Sequence, residues 1–113
     1  MPLRRARRAA LLAAAAGLLA SCGPDYQEMV TRECVRDDQP RDYCECLAKG
    51  MRKALGPERY SLFTDFMLLG GHRKATPDDI LRLMEKHKLT PEQLTDARNA
   101  MDDAMPVVDR QCR

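Results

Sequence analysis

The chain has 113 residues, 44% of them hydrophobic, 32% charged and only 4% aromatic, with no tryptophan. Four of its 19 basic residues lie within the first eight positions, leaving 15 to face 17 acidic ones, so the formal +2 becomes about −2 beyond that basic start. No basic stripe with interleaved aromatics remains, which excludes nucleic acid as the expected partner.

Arg4, Arg5, Arg7 and Arg8 open the chain without any acid, and Ala9 to Ala20 follow as an apolar run broken only by Gly17. A cationic start, a short apolar centre and small residues at its end make a secretory signal peptide. The apolar run is too short for a bilayer core, which takes roughly 20 apolar residues. The arginines keep their end on the cytoplasmic side.

Leu19-Ala20-Ser21-Cys22 closes this leader and resembles the lipobox of bacterial lipoprotein precursors. The resemblance covers the first 22 residues. It implies diacylglycerol transfer to the Cys22 thiol, cleavage before Cys22, and fatty acylation, palmitate for example, of the new amino terminus. The expected division is a cleaved leader over 1–21, a lipidated N-terminus and very short tether over 22–24, and one domain over 25–113. The same resemblance places the protein in the cell envelope, lipid-anchored and facing the periplasm. Gly23 stands where inner-membrane retention signals carry Asp, which points to the outer membrane.

The remaining 92 residues suffice for one small domain, which buries only around 60–65% of its unfolded surface. Strand signals are sparse, with few β-branched residues and no Asn-Gly or Asp-Gly turn. Tyr26, Met29, Val30 and Cys34 share a helical face, predicting a first helix over 25–36. Asp37 to Gln39 break it, and Pro40 suits the start of a second helix over 40–55 with Tyr43, Leu47, Met51, Ala54 and Leu55 inward. Gly56-Pro57 then stops that helix and starts a third, which carries Tyr60, Leu62, Phe63, Phe66, Met67 and Leu69 up to Gly70-Gly71.

Thr76-Pro77-Asp78-Asp79 and Thr90-Pro91-Glu92-Gln93 each read as a capping box with proline at the first helical position. The first opens a helix with Ile80, Leu83, Met84 and His87 inward. The second opens one with Leu94, Ala97, Met101, Ala104, Val108 and Cys112 inward, and Pro106 is expected to kink it near its end. The fold class is all-α, a small bundle of four to five short helices joined by short connections.

Five cysteines are an awkward number in an oxidising compartment, and assigning Cys22 to lipid leaves the even set Cys34, Cys44, Cys46 and Cys112. Cys44 and Cys46 lie two apart, about 200° around a helix, and so serve different partners. Two connectivities stand: Cys34–Cys44 with Cys46–Cys112, or Cys34–Cys46 with Cys44–Cys112. Either one staples the bundle with two disulfides. Closing the longer loop contributes about 4 kcal/mol by restricting the unfolded chain.

Catalytic chemistry finds little support. His72 sits in a Gly-rich connection and His87 at a helix C-terminus, where positive charge is favoured. Neither lies beside a Ser or Cys nucleophile with an orienting acid. Asp37-Asp38, Asp78-Asp79 and Asp102-Asp103 are adjacent pairs, which do not face each other on a helix. No phosphate loop or calcium-loop spacing is present, so no enzyme activity, cofactor or metal is expected.

Two functional readings follow. One is a membrane-anchored, non-catalytic accessory or structural protein that acts by binding an envelope partner. Leu62, Phe63, Phe66, Met67 and Leu69 are its candidate surface, because apolar residues around much of a helix mean either full burial or a docking face. The other is a periplasmic copper handler using Cys44, Cys46, His72 or methionines, since soft sulfur ligands suit Cu(I). Core packing accounts equally for Met101 and Met105.

Overall fold

The computed structural model describes residues 25–71 and 74–113, and no strand occurs among them. Four helical spans follow in order: α1 (Tyr26–Arg36), α2 (Arg41–Leu68), α3 (Pro77–His87) and α4 (Pro91–Cys112). The all-helical expectation is met.

The helix starts are written locally. Asp25 caps α1 by accepting from the Glu28 amide at 3.1 Å. At α3 the Asp79 amide donates to Thr76 Oγ1 (3.2 Å) and the Thr76 amide to Asp79 Oδ2 (2.9 Å). Thr90 and Gln93 repeat this reciprocal pair at α4, again at 3.2 and 2.9 Å. Each box satisfies two amides that a helix start otherwise leaves without partners, and each cap is worth about 1 kcal/mol.

The second and third predicted helices form one span. Gly56 leaves the helical region at φ 78°, ψ 168°, and Pro57 resumes the helix behind it. Proline has no amide for the preceding turn and its ring crowds the carbonyl four residues back, so the helix must bend there. Gly56 absorbs the bend because a positive φ carries no Cβ penalty for glycine. The expected break is therefore a redirection. In α4, Pro106 lies inside a helix that runs on to Cys112.

α2 is the spine, and α1, α3 and α4 each pack against it. α1 folds back over the first half, its end tied at Cys34–Cys44 and its start close enough for Asp25 to act on Tyr60. α4 also runs antiparallel to α2, with Cys46–Cys112 at one end and the Pro57–Leu62 stretch beside Gln93 and Ala97 at the other. α3 attaches near the far end of α2, where Lys86 and His87 meet Asp65.

The core gathers inward faces of all four helices, among them Val30, Met51, Phe66, Leu83 and Met101. Ala54, expected on the inner face of α2, is exposed, two residues before the bend at Gly56. Gly50 lets α4 come close to α2. A Cβ placed there would lie 2.5 Å from Val108 Cγ1, so Val108 seats at a position of α2 that lacks a side chain.

Candidate functional site

Where α2 bends, its second half diverges from the start of α4 and leaves a groove of about 600 Å³. Leu62 and Ala97, both nearly fully buried, form the apolar floor. Leu89, from the short α3–α4 connection, adds a half-buried wall. Arg59, Gln93 and Asp96 stand exposed at the rim. A small apolar floor inside a mixed-charge rim suits a chain segment presenting one apolar side chain between polar groups.

His87 closes one side of this groove. Its Nε2–H donates to Asp65 Oδ2 at 2.6 Å, with both side chains largely buried at 14% and 11% exposure. Lys86 Nζ reaches the same carboxylate at 3.0 Å. Asp65 thus fixes the orientation of the imidazole. The primary effect of this ion-pair anchor is to pin the end of α3 onto α2. The sequence gives no sign of it, because Asp65 and His87 are 22 residues apart.

A second cluster holds the end of α4. The Tyr43 hydroxyl donates to Asp109 Oδ1, Arg113 Nε donates to both Asp109 oxygens at 3.0 and 3.1 Å, and the Arg113 guanidinium lies 5.0 Å from the Tyr43 ring centre. Burial and the hydrogen bond to Asp109 push the Tyr43 phenol up. The hydrogen bonds from Tyr43 and Arg113 hold the Asp109 carboxyl below its usual range. Beside it the Cys46–Cys112 disulfide joins α2 to α4, with Cα atoms 5.6 Å apart.

Tyr60 contributes a third feature. It is 2% exposed and its hydroxyl has no hydrogen-bond partner. Burial pushes its pKa up to about 12, Arg52 opposing and Asp25 adding to the rise.

The candidate partner surface does not form as a surface. Leu62, Phe63 and Phe66 are 2%, 4% and 2% exposed, Met67 is half-buried, and of the five only Leu69 is open to solvent. A helix that serves as spine for three others buries most of its circumference, and Phe63 also stacks on Tyr60 at 6.1 Å between centres. The stretch is core.

The first of the two disulfide connectivities is present, Cys34–Cys44 with Cys46–Cys112. Cys44 and Cys46 are therefore oxidised sulfurs, not the thiolates that a soft metal requires. Met101 is buried and Met105 packs against the core, as their packing role predicts. Among the described residues no three His, Cys, Asp or Glu side chains group to hold a metal ion. Cys22 and His72 lie outside the described residues. No described helix is long and apolar enough to cross a membrane. No family model, characterised protein or solved structure matches the chain.

Proposed function

We propose that the protein is a lipid-anchored cell-envelope protein whose helical domain works by binding a partner segment in the groove at the α2 bend. The observation that carries the anchor is the cysteine count: the two disulfides use four of the five cysteines, and the fifth is Cys22 at the end of the lipobox. In an exported chain this leaves Cys22 for lipid. The tether Gly23-Pro24 is so short that three extended residues span only about 10 Å, which holds the domain against the membrane surface.

Mass spectrometry of the N-terminal peptide from membrane-extracted protein tests the anchor. The expected peptide begins at Cys22 and carries a diacylglyceryl thioether and an N-acyl chain. Cys22→Ser should abolish both the modification and membrane retention. A mature N-terminus elsewhere, or an unmodified Cys22, would overturn the anchor. The groove is tested by a photo-crosslinking residue at Gln93 in the producing cell. A discrete adduct that disappears with Arg59→Glu/Asp96→Lys is expected. These rim positions are exposed, so the charge reversals leave the core intact. An adduct indifferent to them would remove the groove from the function.

A further inference from the structure

The two disulfides occupy different surroundings. Cys34 and Cys44 are 4% and 0% exposed and belong to the core cluster. Cys46 and Cys112 are only half-buried and line a surface hollow of about 460 Å³ between α2 and the last turn of α4. Asp42, Glu45, Lys49 and Lys53 surround that hollow. Two cations and two anions leave its rim without net charge, so access, and not attraction, decides what reaches the sulfurs.

We infer that Cys46–Cys112 is a thiol–disulfide exchange site, open to an external dithiol while Cys34–Cys44 stays closed. Exchange requires a thiolate to approach the sulfur–sulfur bond, and exposed disulfides are the labile ones. One thiolate of the dithiol attacks either sulfur, forming a mixed disulfide and expelling the other cysteine as a thiolate. The second thiolate of the dithiol then displaces the bound cysteine. The dithiol leaves as a disulfide, and Cys46 and Cys112 each take up a proton. The chain gains two electrons and the dithiol loses two.

What opens is the end of α4 and not the fold. Beyond the disulfide, this end is held by Val108 against Gly50 and by the Tyr43–Asp109–Arg113 cluster. Leu94, Ala97 and Met101, all buried, keep the rest of α4 on the core. The site converts the reducing strength of its surroundings into release of one helix end. It rests on the different exposure of the two disulfides alone, and neither lipidation nor the groove enters into it.

The test uses the full chain under native conditions, exposed to rising dithiothreitol, quenched with an alkylating agent and mapped by peptide mass spectrometry. Cys46 and Cys112 should label at least about tenfold faster than Cys34 and Cys44, with helicity by far-UV circular dichroism unchanged at that stage. Labelling of all four together, labelling of Cys34–Cys44 first, or loss of helicity in step with the first reduction would overturn the site. Cys46→Ser/Cys112→Ser provides a second readout. It should keep its helicity and show no labelling of Cys34 or Cys44 at the early stage, whereas early labelling of these two in this variant would assign the accessible sulfurs to the other pair.

Discussion

Cys44 and Cys46 stand two residues apart on α2 and bind different helices, Cys44 to Cys34 of α1 and Cys46 to Cys112 of α4. Their angular separation on the spine makes one short motif the junction of three helices. The sequence separations they close, 10 and 66 residues, correspond to about 3 and about 4 kcal/mol of lost unfolded-chain entropy. Paired serine replacements measured by denaturant unfolding should show both losses. Cys34→Ser/Cys44→Ser should exceed its entropic share, because it also places hydroxyls at core positions. A loss for the buried pair no larger than its entropic share of about 3 kcal/mol would contradict this.

Gly50→Ala sets two effects against each other. Alanine is favoured over glycine in a helix by about 1 kcal/mol. The new Cβ, however, would meet Val108 Cγ1 at 2.5 Å, and valine in a helix has little rotamer freedom to yield. Overpacking of this kind costs about 1–3 kcal/mol, so the clash wins and the variant should be less stable. Combining it with Val108→Ala should recover part of the loss, seen as a positive coupling in a double-mutant cycle.

Asp65→Ala should loosen α3. It removes the 2.6 Å bond to His87 and the 3.0 Å pairing with Lys86. Lys86 is 61% exposed and contributes little, so the loss comes mainly from the largely buried His87 partner and should be about 1–2 kcal/mol. Amide exchange should quicken across 77–87 while α1 keeps its protection. Equal acceleration in both helices would show that the pair supports the whole fold and not this attachment.

Tyr60→Phe should stabilise the domain or leave it unchanged. The hydroxyl is buried without a partner, and removing such a group relieves a desolvation penalty of about 1–3 kcal/mol. The folded phenol titrates near 12, above the ordinary 10. Between these values the unfolded chain loses the proton while the folded one keeps it, so stability falls as pH rises through this window. Tyr43, raised in the same direction, adds to that alkaline limb. The limb should flatten in Tyr60→Phe and further in Tyr43→Phe/Tyr60→Phe.

The acid side has the opposite sign. Asp109 is held below its usual range, so its contribution is present above the ordinary carboxylate pKa and is lost as pH falls below it. Asp109→Asn should therefore shorten the acid limb of the stability profile. Because Asp109 belongs to the cluster holding the end of α4, labelling of Cys46 and Cys112 should also quicken in that variant. An unchanged labelling rate would separate the cluster from the disulfide.

By itself the sequence determined what acts over a turn or two of chain. Thr76 and Thr90 announce two helix starts, apolar spacing marks the inner faces, and Gly56-Pro57 marks where one helical run ends and the next begins. The angle between Cys44 and Cys46 allowed two pairings and excluded a bond between them. Tertiary structure decided what depends on how helices lie against one another. It selected Cys34–Cys44 with Cys46–Cys112. By making α2 the spine, it turned Leu62, Phe63 and Phe66 into core. It also joined Asp65 to His87 and opened a groove beside them. Capping and periodicity are written in neighbouring residues, whereas the register between helices comes from close packing at contacts such as Gly50 on Val108, which no local pattern reveals.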